Sequence, residues 1–265
     1  MLKFLLHTVI CILLTIGTQV GGIIYLIALW AVKRSTHRRR LKRFGIFAGL
    51  YVLATFMLVP AIAPLFGRIR IEENKAVQAH SFLYKLANRN YVSPQLNKAI
   101  QDIATAFEAD NPGIKLVYLD ANFPFIDGFP LLPHLSHNDG KKVDVSLIYK
   151  DTNGQTTNRK RSVSGYGAFE GPTAREYDQT TVCKDRGYWQ YDYPKYVTLG
   201  TINNQLTLSE KGTRELVTGI VKQPLVGKLF IEPHLKERLQ LSHNKIRFHG
   251  CKAVRHDDHI HFRLR

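Results

Sequence analysis

The chain has 265 residues, enough for one substantial domain with an appendage but too few for three domains of ordinary size. Hydrophobic residues make up 45% of it and charged residues 22%, a globular composition that excludes extensive disorder. The net charge of +16 is unevenly spread: residues 1–75 hold 11 Lys+Arg and 2 Asp+Glu (+9), and the remaining 26 and 19 give the rest of the chain +7. The charge must therefore be located before it is taken as a sign of any partner.

Two long stretches near the N-terminus, residues 4–32 and 44–67, are apolar and contain no Asp, Glu, Lys or Arg. Each is long enough to cross a bilayer, which needs about 20 apolar residues. The segment between them, residues 33–43, has seven Lys or Arg in eleven residues, and the positive-inside rule assigns such a segment to the cytoplasm. We therefore predict a two-helix transmembrane hairpin over 1–67 in the lipid bilayer, with both chain termini on the outer side.

Two alternatives apply to this region, a cleaved signal peptide and a nucleic-acid-binding segment. The first apolar stretch lacks a short h-region ending in an A-x-A-like site, and a second apolar stretch follows at once, which disfavours a signal peptide. The basic segment is explained by its place between two spans, so no nucleic-acid partner is expected. The predicted location is the cytoplasmic (inner) membrane, multi-pass, with the rest of the chain on the periplasmic or extracytoplasmic side.

The outer part begins with a polar linker, residues 68–92, and continues as one domain over 93–265. Ser93 as a cap, Pro94 at the first helical position and an apolar stripe every three or four residues predict a helix over 93–113. Strands are predicted over 114–120, 141–149, 228–233 and 257–265, helices over 208–224 and 234–242, and long loops over 150–200. This mixture predicts an α+β domain.

Of the three cysteines, Cys11 lies in the first apolar stretch, which leaves Cys183 and Cys251 outside the membrane. An oxidising compartment would permit a disulfide between them. Two unpaired buried thiols are an equally weighted alternative, and no C-x-x-C spacing suggests a metal site.

The side chains most suggestive of chemistry lie on two predicted strands. Strict alternation places Asp144 opposite its valine neighbours, and it places His259 and His261 together on one face of the terminal strand. A carboxylate among valines is costly unless a charge or hydrogen bonds balance it, and His137, seven residues earlier across an Asp-Gly turn, could fold back beside it. Two imidazoles and a carboxylate with an open fourth position form a recurrent catalytic zinc arrangement.

These residues also carry a resemblance. The segment SHNDGKKVDVSLIY resembles the S-H-x-x-G-x-x-x-D motif of the LAS metallopeptidases, which include lysostaphin-type enzymes, D-alanyl-D-alanine carboxypeptidases and the hedgehog domain. The C-terminal HDDHIHFRL resembles the closing H-x-H of that group, and GKLFIEPHLKERL is similar to a segment of the penicillin-insensitive murein endopeptidases. The resemblance covers roughly 130–149 and 226–265, whereas 150–225 matches no family known to us.

The resemblance implies an antiparallel sheet with flanking helices, a Zn²⁺ ion, and the zinc ligands His137, Asp144 and His261. It implies that His259 is the acid–base or transition-state-stabilising group and that His256 is a further active-site histidine. A catalytic glutamate of related carboxypeptidases corresponds to Asp258, which is shorter and which strict alternation points away from His261; either His259 or Asp258 could be the base, and His259 is preferred. His134 is expected to support a ligand.

The function implied is zinc-assisted amide hydrolysis in peptidoglycan stem peptides or their cross-links, by an endopeptidase, a carboxypeptidase or another amidase. A zinc-containing binding or signalling domain of the same fold without peptidase activity is the first alternative. A basic membrane-tethered module without metal is the second. The sequence predicts neither the bond cleaved nor the oligomeric state.

Overall fold

The computed structural model describes residues 1–33 and 36–265. Two residues of the predicted basic loop 33–43, Arg34 and Ser35, thus lie outside the described residues. The chain forms two compact units, each assembled from separate stretches of sequence. The first unit comprises Met1–Ile71, Phe82–Pro94 and Asp120–Lys141, and the second comprises Glu72–Ser81, Gln95–Leu119 and Lys142–Arg265.

The described residues form the following helices and strands. The helices are α1 (Leu2–Thr18), α2 (Gly21–Ala31), α3 (Arg39–Leu53), α4 (Val59–Ile62), α5 (Phe82–Leu86), α6 (Pro94–Asp110), α7 (Gln179–Asp185), α8 (Glu210–Lys222) and α9 (Pro233–Arg238). The strands are β1 (Ile69–Arg70), β2 (Val77–Ala79), β3 (Tyr91–Val92), β4 (Leu116–Tyr118), β5 (Lys142–Ser146), β6 (Tyr149–Lys150), β7 (Thr156–Thr157), β8 (Thr207–Leu208), β9 (Val226–Phe230), β10 (Ile246–Arg247) and β11 (His259–Leu264).

Within the part of the chain that the structure describes, one helix is long and apolar enough to cross a membrane. It runs over Arg39–Phe66, 28 residues, because α3 continues through a π-helical turn into α4 and a final 3₁₀ turn. Gly67 ends it in the left-handed conformation, with φ 68°. This helix contains the whole of the predicted second span except Gly67.

The predicted first span, 4–32, is not one helix. It is divided into α1 and α2, and Gln19 between them has φ 62°. The two helices pack against each other in opposite directions: Nδ1 of His7 lies 2.6 Å from the hydroxyl of Tyr25. Gly22 permits this close approach, because a Cβ there would lie 1.9 Å from Oγ1 of Thr15. The apolar stretch thus forms a helical hairpin of its own, which corrects the single span predicted from hydropathy.

The remainder of the first unit is irregular, apart from α5 and a short antiparallel pair, β1 with β3. Its small core contains Val59 and Ala63 from the end of the long helix and Tyr91 from β3. The predicted linker 68–92 therefore contains ordered strands.

The second unit is built on a six-stranded sheet in the order β10-β9-β11-β5-β4-β2. Its four central strands, β9, β11, β5 and β4, are antiparallel to one another, whereas β10 and β2 at the two edges pair in parallel with β9 and β4. The predicted antiparallel sheet is thus mixed, and the mixture of helices with several sheets agrees with the predicted α+β class. A smaller three-stranded sheet, β7-β6-β8, lies within the unmatched segment and its flanks.

Two helices predicted from the sequence, over 93–113 and 208–224, are present as α6 and α8. Pro94 is the first residue of α6, and the apolar stripe that includes Ile100, Ile103 and Phe107 is buried. The side chain of Ser209 caps α8 by accepting from the backbone N–H of Gly212 at 3.2 Å. Strands β11 and β5, which carry the candidate site residues, occupy the middle of the sheet, so both of their faces are buried.

Candidate metal centre

Asp144 and His261 face each other across the two central strands. The register of the antiparallel pair β11–β5 sets them directly opposite, and Nδ1 of His261 lies 2.9 Å from Oδ1 of Asp144. Directly opposed residues of an antiparallel pair share a face, so Val143 and Val145 point the other way. Sheet register therefore gathers two of the three predicted ligands.

His137 supplies the third candidate ligand from the loop before β5. Its Nδ1 lies 2.7 Å from the carbonyl oxygen of Ala121. Because a carbonyl can only accept, Nδ1 carries the proton and the lone pair needed for a metal is on Nε2. His137, Asp144 and His261 each offer one ligand atom, and these atoms lie within 4.8 Å of one another. The three residues predicted as ligands form a buried group that could hold a metal ion.

The chemistry of this donor set fits a metal cation. Asp144 has no solvent exposure and His137 is 1% exposed. A buried carboxylate is strongly disfavoured unless an opposite charge or hydrogen bonds compensate it, and two imidazole nitrogens are at hand to share a cation with it. The Nδ1–H···O=C bond of His137 is the kind of outer contact that fixes the ring of a metal-binding histidine.

His259 and Asp258 form a coupled pair beside the ligands. Nδ1 of His259 lies 2.5 Å from Oδ1 of Asp258, and its Nε2 lies 3.7 Å from Oδ1 of Asp144. Burial alone would lower the pKa of His259, but the carboxylates of Asp258 and Asp144 outweigh burial and raise this pKa to about 9. In the absence of a metal, His259 is therefore a buried imidazolium at neutral pH.

The side-chain direction expected for Asp258 rested on strict alternation along a strand. The strand β11 begins at His259, so Asp258 precedes it and alternation does not govern its side chain. Its Oδ1 meets the ring of His259, and its Oδ2 accepts a hydrogen bond from the backbone N–H of Gly167 at 2.5 Å. Asp258 thus acts on His259, the other candidate base, as a hydrogen-bonded neighbour.

His256 lies against both histidines of the terminal strand, with ring centroids 4.9 Å from His259 and 5.8 Å from His261. Burial, followed by the charges of the neighbouring histidines, holds the pKa of His256 well below its usual range. The backbone N–H of His256 donates to Oε1 of Glu232 at 2.9 Å. The structure brings the three residues predicted as catalytic, His256, Asp258 and His259, into one cluster and gives His256 and His259 opposite charge preferences.

His134 is anchored by an acid in the first unit. Its Nδ1 lies 2.9 Å from Oδ2 of Asp120, and Arg89 binds both oxygens of the same carboxylate at 2.6 Å. Burial is the largest single effect and opposes ionisation of Asp120, but Arg89 and the hydrogen bond with His134 together outweigh it and lower the pKa of that carboxyl. The ring of His134 lies 5.7 Å from that of His137, centroid to centroid, consistent with a supporting position.

Sequence reasoning missed three residues of this neighbourhood. Tyr166 donates its hydroxyl to Oδ2 of Asp144 at 2.8 Å. Glu232 is buried and braces His256 as described, and the exposed His249 stacks on His256 with centroids 5.2 Å apart. Tyr166 lies in a Gly-rich stretch without a periodic pattern, and His249 belongs to no motif spacing that we recognise. Glu232 could have been suspected, because it is an acidic residue at the end of the predicted strand 228–233.

Of the two alternatives that the sequence left open for Cys183 and Cys251, the structure has the disulfide, and Cys11 is the free cysteine of the described residues. The bridge joins α7, in the unmatched segment, to the loop that leads into His256. Nearby, the backbone N–H of Arg255 donates to the carbonyl of Tyr191 at 3.0 Å. The unmatched segment is thereby tied to the histidine-rich end of the chain.

Comparison of the chain with known protein families finds no family that matches it, and comparison with curated proteins finds no match either.

Proposed function

We propose that this protein is a membrane-anchored zinc metallopeptidase that hydrolyses amide bonds in the stem peptides or cross-links of peptidoglycan. The observation that carries the proposal is the buried group of His137, Asp144 and His261 with the His259–Asp258 pair beside it. A structural metal site has no need for an adjacent imidazole held by its own carboxylate. A site that moves protons does.

Zinc is the metal that the donor set favours. Two imidazole nitrogens and one carboxylate are borderline ligands that suit Zn²⁺, whereas Ca²⁺ and Mg²⁺ prefer sites made of oxygen atoms. Three protein ligands also match catalytic zinc sites, which keep a position open, better than structural sites, which use four. A bound zinc ion would act as a Lewis acid, polarising the scissile carbonyl and making water a nucleophile near neutral pH.

The residues beside the candidate ligands would then handle the protons and the developing negative charge. Asp258 accepts the Nδ1–H of His259, which fixes the ring and turns its Nε2 toward Asp144. From that position His259 can donate a hydrogen bond to negative charge that develops on the substrate oxygen or deliver a proton to the leaving amine. His256 is kept neutral by its surroundings, which disfavour a second proton on its ring, so it can make hydrogen bonds in the site but is a poor acceptor of a proton. Burial of all these groups excludes bulk water and strengthens each interaction.

The side of the membrane on which the site would lie supports the proposed substrate, as does the chemistry of the site. The helix Arg39–Phe66 begins within a strongly basic segment, residues 33–43, and the positive-inside rule keeps such a segment in the cytoplasm. The chain after Phe66 would then emerge on the outer side of the membrane, where the cell wall is within reach. The disulfide Cys183–Cys251 suits that oxidising compartment, and the net charge of +7 beyond residue 75 suits an anionic polymer.

The test uses the full-length protein in detergent micelles, loaded with one equivalent of zinc and incubated with cross-linked muropeptides. Mass spectrometry of the products identifies any bond that is cleaved. His137→Ala removes one ligand and should abolish both stoichiometric zinc and cleavage. His243→Ala, at an exposed position of the second unit, is the matched control and should behave as the wild type.

Cleavage by the wild type and the control, but not by His137→Ala, supports a metallopeptidase, and the product masses separate endopeptidase from carboxypeptidase activity. Stoichiometric zinc with intact muropeptides would favour the alternative, a zinc-containing binding or signalling domain. Absence of zinc from the wild type would contradict both.

A further inference from the structure

The long segment 150–225, which the sequence motifs leave unexplained, contacts a candidate ligand through the side chain of Tyr166. The hydroxyl of Tyr166 donates to Oδ2 of Asp144 at 2.8 Å. Tyr166 is 4% exposed, and its ring meets the ring of His259 edge to face, with centroids 5.0 Å apart. One side chain of this segment therefore touches both a candidate ligand and the candidate acid–base group.

The backbone around Tyr166 is fixed on both sides. Its own N–H donates to the hydroxyl of Ser164 at 3.1 Å, and the N–H of Gly167 donates to Asp258. Gly167 has φ +77°, and a Cβ there would lie 2.6 Å from the carbonyl oxygen of Pro194, so a larger residue would displace this turn. The tyrosine is consequently held in place before any ligand binds.

The hydrogen bond from Tyr166 makes the two carboxylate oxygens of Asp144 different. Oδ2 accepts from Tyr166, whereas Oδ1 lies on the side of the imidazoles, 2.9 Å from His261 and 3.7 Å from His259. A carboxylate with one oxygen engaged in this way can neither rotate freely nor offer both oxygens equally to a cation. Such outer contacts tune metal affinity because they set the orientation of the ligand before the metal arrives.

We infer that Tyr166 is a positioning residue that holds Asp144 with Oδ1 presented to the metal ion. The inference rests on the metal site of the proposed function. It gives the unmatched segment a role in the site, since this segment supplies the contact that orients a ligand carried by another part of the sheet. It does not depend on which bond, if any, the protein hydrolyses.

The test compares Tyr166→Phe with wild type in the full-length protein in detergent. Phenylalanine keeps the ring beside His259 and removes only the hydroxyl. Zinc affinity is measured by competition with a chromophoric chelator, and the cobalt-substituted protein gives a visible absorption spectrum that reports ligand geometry. We expect the zinc dissociation constant to rise about ten- to a hundred-fold, as for other outer-contact variants of metal sites, together with an altered cobalt spectrum.

The matched control is Tyr118→Phe. Tyr118 is also a buried tyrosine whose hydroxyl donates to a carboxylate, Oε1 of Glu73 at 2.9 Å. It lies opposite Val145 in the sheet, and its side chain is therefore on the face that Asp144 does not use. The control should lose a similar hydrogen bond and leave zinc affinity and the cobalt spectrum unchanged.

Unchanged affinity and an unchanged cobalt spectrum in Tyr166→Phe would overturn the inference, as would equal losses in both variants, which would indicate a general effect on folding. Failure of the wild type to bind zinc would overturn the inference and the metal site together. Zinc-loaded wild type that leaves muropeptides intact would count against the peptidase only, because the affinity comparison does not use hydrolysis.

Discussion

Nδ1 of His259 lies 2.5 Å from Oδ1 of Asp258, although the two residues are adjacent in the sequence and strict alternation would point them in opposite directions. The contact forms because Asp258 precedes the strand and turns back onto the ring of its neighbour. It makes Asp258 a partner of the imidazole and leaves His259 as the group facing the candidate ligands. The two open candidates for the base are therefore one hydrogen-bonded unit.

Replacing Asp258 with asparagine should lower the pKa of His259. Among the neighbouring carboxylates Asp258 raises this pKa most, and the pKa reaches about 9 in the native chain; an amide removes the negative charge. The expected result is a titration midpoint of His259 displaced to lower pH in metal-free protein, measured by NMR with ¹⁵N-labelled histidine. Asp110→Asn, at an exposed position, is the control; an unchanged midpoint in Asp258→Asn would contradict the pairing.

Glu232→Gln should flatten the dependence of stability on pH. Burial raises the pKa of Glu232 from 4.5 to about 7, so the folded state favours the protonated carboxyl. The contribution of this protonated carboxyl to the free energy of unfolding is fully present below pH 4.5 and is lost as pH rises through 7. The free energy of unfolding falls by about 3 kcal/mol over this range. Thermal unfolding of the wild type between pH 5 and pH 8 should show this decline, and the glutamine variant should show much less of it. Parallel curves for the two proteins would contradict the assignment.

Removing the disulfide with the double change Cys183→Ser and Cys251→Ser should destabilise the second unit. The bridge spans 68 residues of sequence, and loss of a native disulfide typically costs about 2–5 kcal/mol. The expected result is a clearly lower unfolding temperature than that of Cys11→Ser, which removes the free cysteine. Equal unfolding temperatures for the two variants would show that other contacts hold the segment.

The N-terminus should lie on the same side of the membrane as the basic segment, contrary to the topology predicted from hydropathy. The helices α1 and α2 run in opposite directions and return the chain to the side on which it started. In a Cys11→Ser background, the variant Lys98→Cys should react with a membrane-impermeant maleimide in intact cells. The variant Lys3→Cys should react only after the membrane has been permeabilised. Reaction at both positions in intact cells would restore the two-span prediction.

The sequence by itself determined the features that depend on local pattern. Apolar length indicated the long helix Arg39–Phe66, and capping and periodicity indicated α6. Alternation placed Asp144 and His261 on the faces of two strands, and the resemblance to the LAS metallopeptidases named them, with His137, as the three ligands. These signals succeed because backbone geometry imposes a fixed period on each element and because a carboxylate in an apolar strand demands compensation.

The tertiary structure alone decided the features that depend on the path of the chain. The break at Gln19 lies next to the contact of Gly22 with Thr15, and hydropathy does not reveal it because the chain is apolar on both sides of the break. Tyr166 meets Asp144 only because the turn at Gly167 holds it there. Contacts of this kind join residues that are far apart in the sequence, so local sequence periodicity does not predict them. They form only when the whole chain is packed.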